Sequence, residues 1–219
     1  SMINTVVFCV VVVFFRVVLG LAIAYALNSK MTKHKTFFRT VFYMPTVTPL
    51  VAVAYVWMIM YNPQFGLIDK IFGLDINWLY DSKFALPSLM IMTIWKDFGY
   101  AVILFLSGLL SLPADCYESA SIDGANAWQT FRYITLPLLK PTMLFVVVTS
   151  IISYLQAYVP VLVMTKGGPG TSTYLSSYLV YDQAFKQYNF GYASAISLFI
   201  LVLTAIFTAI SFKVTGEKN

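Results

Sequence analysis

Five stretches of this chain stay apolar for long enough to cross a lipid bilayer, and that alone removes most soluble folds. They cover residues 4–27, 38–60, 84–110, 138–164 and 191–212. A helix needs about 20 apolar residues to span the hydrocarbon core, because each residue advances it by about 1.5 Å. The runs are continuous rather than alternating, which excludes a transmembrane β-barrel. The first is too long for a signal peptide and lacks a basic leading region and a small-residue cleavage site. Only 11% of the 219 residues are charged, against about 25% in soluble chains, so too few polar groups exist to clothe a water-facing surface. The expected fold is all-α, a polytopic helical bundle forming one membrane domain over residues 1–219.

Lys and Arg between the runs set the orientation. Lys30, Lys33, Lys35 and Arg39 fill the first connection, Arg132 and Lys140 belong to the third, and Lys213 and Lys218 to the tail. The second and fourth connections hold Lys70, Lys83, Lys166 and Lys186, so the balance is eight against four. The first and third connections and the C-terminus are therefore expected on the cytoplasmic side. This leaves the N-terminus outside with a very short leader. The simplest account is a preceding helix, with Ser1-Met2 a trimmed start and six or more spans in the full protein. The net charge of +5 comes from residues between spans, not from a basic stripe with interleaved aromatics, so membrane topology explains it and nucleic acid does not. Cys9 lies in an apolar run and Cys116 in a polar loop, which suits neither a disulfide nor a metal site.

The connection at 111–137 does not read as a linker. Pro113 suits the first turn of a helix, and Asp115 and Glu118 favour its positive end. Gly124 breaks that helix. A second amphipathic stretch then carries Ala127, Trp128, Phe131 and Ile134, and Leu136-Pro137 is expected to stop it. Two short helices meeting at a glycine make a compact knob.

Here the chain resembles the permease subunits of ABC importers. Their loop pattern is Glu-Ala-Ala, three residues, Gly, nine residues, Ile-x-Leu-Pro. Glu118-Ser119-Ala120, Gly124 and Ile134-Thr135-Leu136-Pro137 match every spacing, with Ser119 the single small-for-small departure. Asp123-Gly124-Ala125 is a triplet common in the carbohydrate branch. Arg39 with Pro45, Trp57 followed by Gly66, Trp95, and Gly167-Gly168-Pro169 with Thr173 resemble the subgroup related to the maltose and glycerol-phosphate permeases. Within it, the chain is similar to the subunit with the Gly-Gly-Pro loop. The likeness extends over nearly the whole chain.

The resemblance implies a single permease domain in a bacterial cytoplasmic membrane, paired with a second homologous permease subunit. Two separate ATPase subunits would bind ATP and Mg inside, and a solute-binding protein would deliver a sugar or related polar solute from outside. Glu118, Ser119, Ala120, Asp123, Gly124 and Ala125 would contact the ATPase. The alternative is a hairpin that only stabilises its own bundle.

Away from the ends of the runs, three charges fall within them: Arg16, Lys96 and Asp97. Each costs about 2.5–3.5 kcal/mol at the bilayer centre on insertion scales, so each should face protein or water. Lys96 and Asp97 are adjacent and point about 100° apart on a helix. The expectation is that Asp97 pairs with Arg16 while Lys96 borders the aqueous pathway; the alternative is that all three only fix packing. The fourth run carries Ser150, Ser153, Tyr154, Gln156 and Tyr158, interrupted by Pro160. Polar groups and broken helices at membrane depth suit a solute pathway, here Lys96, Asp97, Ser153, Tyr154, Gln156 and Tyr158. Interhelical hydrogen bonding is the competing account.

Gly167-Gly168-Pro169-Gly170 lacks the Lys-Ser/Thr of a phosphate-binding loop. It reads as a tight external turn, or, at Gly167, Gly168 and Pro169, as a contact for the solute-binding protein. Tyr61, Phe65 and Trp78 read as interfacial anchors, and Gly20 with Ala24 as a site of close helix approach. His34 is the only histidine and no nucleophile or carboxylate accompanies it, so no catalytic set, metal site or ATP-binding motif is expected and energy must come from another chain. Two other functions compete with the permease reading: a membrane anchor or assembly subunit without a pathway, and an ion-driven secondary transporter. The latter needs an internal repeat and buried carboxylates, of which the spans offer only Asp97.

Overall fold

The computed structural model of the protein describes residues 1–29, 34–73 and 75–215. Lys30, Lys33 and Lys218, three of the residues used above for orientation, lie outside the described residues. All regular structure among the described residues is helical.

Three helices are each long and apolar enough to cross a membrane: α1 (Met2–Asn28), α5 (Ala85–Leu110) and α12 (Phe190–Thr215). Two bent pairs, counted as one span each, bring the number to five. The expected 38–60 span is one of them. It is split into α2 (Lys35–Val47) and α3 (Leu50–Met60), whose axes differ by 95°. Pro45 and Pro49 each remove a ladder hydrogen bond, and Thr48, standing before a proline, is pushed into extended backbone.

The expected 138–164 span also needs correction. Leu136-Pro137 does not stop the preceding helix. Instead α7 (Ala127–Thr130) widens into a π-helical turn at Phe131–Thr135 and runs on into α8 (Leu136–Leu138), the wider turn accommodating Pro137, whose ring and missing N–H would break a regular α-helical ladder. The chain then bends by 64° into α9 (Lys140–Leu155). This helix ends at Gln156, and α10 (Val159–Met164) begins just before Pro160, which cannot donate to the ladder. Three shorter helices complete the chain: α4 (Leu67–Phe72), α6 (Ala114–Ile122) and α11 (Ser176–Tyr181), the last extended by a π-helical turn at Asp182–Lys186.

Helices α1 and α5 run parallel as the central pair. Gly20 permits their approach: a Cβ there would lie 2.7 Å from Ala101 Cβ. The Gly20→Leu variant should therefore lower stability by about 1–3 kcal/mol through overpacking, read as a lower melting temperature in detergent. A tighter approach is at Gly99, where a Cβ would run into the Phe42 carbonyl oxygen of α2. One apolar cluster, around Phe8, Trp57, Tyr61, Met92 and Leu175, fills the end that holds the Gly-Gly-Pro loop. A second, around Ala24, Ala101, Phe105 and Leu139, fills the end that holds the 111–137 knob. Tyr61 is inside the first cluster, 1% exposed, and donates to the Ser88 carbonyl. It is core rather than the interfacial anchor expected. Trp78 is half-buried, donating from Nε1 to Asp69, while Phe65 is exposed.

Candidate functional site

The knob is held by its own local bonds. After α6, Gly124 adopts φ +75° and the chain closes a Schellman-type turn: Gly124 N donates to the Ser121 carbonyl (3.2 Å) and Ala125 N to Ala120 (2.9 Å). Asn126 opens the next helix with a reciprocal capping box to Gln129, at 2.9 and 2.8 Å. The Tyr117 and Thr135 hydroxyls meet at 3.1 Å, bracing the two arms, and Phe131 packs edge-on against Tyr25 at the end of α1. Of the expected contact residues, Glu118, Ser119, Asp123 and Gly124 are exposed, Ala125 is half-buried and Ala120 is buried. The knob also presents Ile122 at 86%, Trp128 at 69% and Tyr133 at 74% exposure. These large apolar side chains project from a hairpin braced by its own bonds.

Within the membrane the three charges are joined, but not as expected. Arg16 is 6% exposed and lies between the rings of Tyr100 and Tyr154, 5.5 and 5.6 Å from their centroids. Its Nη1 donates to Ser150 Oγ (3.0 Å) and Tyr154 Oη (3.2 Å), and the Tyr154 hydroxyl donates to Asp97 Oδ2 (3.1 Å). Tyr154 thus bridges Arg16 and Asp97, replacing the direct pair. Lys96 does not border an open pathway either. It is buried, its Nζ 3.5 Å from Asp97 Oδ1 and 3.2 Å from the Thr46 carbonyl, while Thr46 Oγ1 donates back to the Lys96 carbonyl (3.0 Å). The cause is the break in the second span. The last turn of α2 leaves carbonyls without N–H partners at the negative end of its dipole, and an ammonium satisfies both needs.

The six expected pathway residues therefore separate. Lys96, Asp97 and Tyr154 belong to this network. Ser153, bonded to the Thr149 carbonyl (2.9 Å), Gln156 and Tyr158 are exposed, the last two at the break after α9. Sequence reasoning missed Thr46, because its part depends on where α2 ends against α5.

The Gly-Gly-Pro loop is more than a tight turn. Asn4 of α1 donates to the Thr171 and Ser172 carbonyls at 2.9 and 3.1 Å, and Thr173 donates to the Gly168 carbonyl at 2.8 Å. Gly167, expected as an outward contact, is buried at φ +89°, and a Cβ there would meet the Tyr174 ring at 2.5 Å. Gly168 and Pro169 are half-buried, and Gly170 is exposed beside a polar depression shared with Asn77, Asp81 and Ser82. Behind the loop, Tyr174 donates to Asp182 (2.7 Å), and Lys186 reaches Tyr178 (2.7 Å) and Asp182 (2.9 Å). The bond from Tyr174, followed by that from Lys186, holds the Asp182 carboxyl below its usual range. The Tyr178 hydroxyl, followed by Asp182, raises Lys186.

A family model described as "Binding-protein-dependent transport system inner membrane component" matches residues 16–215. The chain belongs to this family. A probable ABC transporter permease protein of Pyrococcus horikoshii is 37% identical over 210 residues, covering 92% of this chain and 71% of that protein. The trehalose/maltose transport system permease protein MalF of Thermococcus litoralis is 36% identical over 217 residues, covering 96% and 72%. The multiple sugar-binding transport system permease protein MsmF of Streptococcus mutans is 35% identical over 205 residues, covering 92% and 70%.

Solved structures agree on the fold. A chain of a bacterial alginate ABC transporter, crystallised in complex with an alginate pentasaccharide-bound periplasmic protein, superposes on the permease with a TM-score of 0.89 at 23% identity, covering 99% of this chain and 77% of that one. A chain of the MetNI methionine ABC transporter gives 0.66 at 17% identity, covering 97% and 91%. The expected all-helical membrane bundle and the likeness to importer permeases both hold, and the permease is a membrane-embedded subunit of an ABC importer.

Proposed function

We propose that the permease carries a sugar or related polyhydroxylated solute across the cytoplasmic membrane, driven through the 111–137 knob. ATP and Mg are bound and hydrolysed on two separate ATPase subunits. A second homologous permease subunit completes the pathway, and an external binding protein delivers the solute to the end that holds the Gly-Gly-Pro loop. The observation that carries this reading is the knob itself: Glu118, Ser119, Asp123 and Gly124 face outward beside Ile122 and Trp128 on a hairpin locked by its own bonds. A rigid, partly apolar projection can pass movement of a docked protein to the spans, because Phe131 against Tyr25 ties it to α1.

The sidedness follows from charge. Lys35, Arg39, Arg132, Lys140 and Lys213 accompany the knob end, and this excess of positive charge supports a cytoplasmic knob and C-terminus. The sugar class is supported by the names of MalF and MsmF and by the exposed Gln156 and Tyr158. An ion-driven carrier is disfavoured, since Asp97 already accepts from Tyr154 and faces Lys96.

The test is to purify the tagged permease with its native partners, reconstitute it, and measure ATP hydrolysis with the solute-binding protein across disaccharides, oligosaccharides, polyols and glycerol phosphates. A co-purifying ATPase stimulated by one sugar class is expected. If no hydrolysing chain accompanies the permease, the proposal fails.

A further inference from the structure

An open groove of about 880 Å³ runs between α9, α11 and α12, apart from both the knob and the Arg16 network. At one end the rings of Tyr158 and Tyr181 lie nearly parallel, with centroids 5.8 Å apart and planes 19° apart, and Tyr158 is 39% exposed. Gln156 stands beside them where α9 stops, and its exposed amide has no partner within the described residues. Along the other wall, α12 contributes Ser197, Thr204 and Thr208. Residues seven and eleven apart on a helix fall within about 20° of one line, so these hydroxyls form a single stripe.

The distribution of polarity on α12 identifies what the groove suits. Its outward residues Leu198, Val202, Ile206 and Ile210 are all aliphatic and all more than half exposed, as a lipid-facing surface requires. Ser197 and Thr204 donate to the Ala193 and Ile200 carbonyls, which leaves their oxygens free to accept. The Thr208 hydroxyl oxygen is turned into the protein, with no partner among the described residues. An acyl chain would gain nothing from an amide and a line of hydroxyls. A polyhydroxylated ring would use both walls, its C–H faces against the tyrosines and the aliphatic floor, its hydroxyls on Gln156, Ser197 and Thr204.

We propose that this groove is a sugar-contacting track of the transport pathway, with the α12 hydroxyl stripe as one of its walls. The assignment rests on the importer reading above and extends it to a helix outside the residues previously singled out.

The complete reconstituted transporter, with Cys9 and Cys116 replaced, tests it through single cysteines at Thr204, Val202 and Ile206 and a charged, membrane-impermeant methanethiosulfonate. Thr204→Cys should react several-fold faster than Val202→Cys or Ile206→Cys. Maltose first, and then each sugar that stimulates hydrolysis, should slow that reaction several-fold. Labelling at 204 as slow as at 202 and 206 would show a lipid-filled groove and overturn the proposal. Fast labelling that no stimulating sugar slows would overturn it too, as a wet cleft that holds no solute. Sugar-stimulated hydrolysis measured in the same vesicles separates this failure from failure of the importer reading.

Discussion

Gly124→Asp is expected to abolish sugar-stimulated ATP hydrolysis while leaving the permease inserted and folded. Gly124 has φ +75°, where Asp and Asn are the non-glycine residues best tolerated, and a Cβ there would meet nothing within 4 Å. The folding cost is therefore about 1–2 kcal/mol, that of an L side chain in the left-handed region. The docking cost is larger. A new carboxylate on the surface that carries exposed Ile122 and Trp128 would lose its water on docking, a penalty of several kcal/mol. Since each 1.4 kcal/mol is about tenfold, stimulation should fall at least about a hundredfold. Gly124→Asn shares the backbone preference without the charge and should keep most of the activity. The measurement is hydrolysis by reconstituted complexes containing equal amounts of permease. Equal activity of Gly124→Asp and wild type would move the point of energy transmission elsewhere and strengthen the anchor reading.

The second large effect is expected at Asp97. Arg16 and Lys96 bring two positive charges into the bundle, and among the described residues Asp97 is the one carboxylate joined to them, through Tyr154 and directly. Asp97→Asn keeps the shape and the acceptor for Tyr154 but leaves both cations uncompensated in a medium that solvates them poorly. Breaking such a buried arrangement costs about 3–5 kcal/mol. Arg16→Met should cost less, because Lys96 and Asp97 remain as a neutral pair. Tyr154→Phe removes both bridging bonds while keeping the ring over Arg16, and should also cost less than Asp97→Asn. The yield of monodisperse permease and its melting temperature in detergent give the order. If Arg16→Met proved the more damaging, this charge balance would not be what Asp97 supplies.

Much of this molecule was legible because it is local. The glycine break of the knob follows from Gly124 and the next helix start from Asn126 and Gln129, all within a dozen residues. Proline positions located the disturbed spans but not their form. Pro45 and Pro49 bend the second span by 95°, which a count of apolar residues hides. Pro137 misled the reading in the other direction. It looked like a stop, whereas a π-helical turn carries the helix through it.

By itself the sequence determined the membrane class, the all-helical architecture and the likeness to importer permeases. Each of these depends on residue type and short-range spacing, so the physics is settled within a few helical turns. Only the tertiary structure decided that Tyr154 stands between Arg16 and Asp97, that Lys96 caps a broken helix, and that Gly167 lies behind Tyr174. It also decided that Gln156 and Tyr158 share a groove with a stripe on α12. Arg16 and Ser150 are 134 residues apart in the chain, and their meeting depends on the rotation and depth of whole helices. Those are set by packing such as Gly20 on Ala101 and Gly99 on the backbone of α2, which no local pattern encodes.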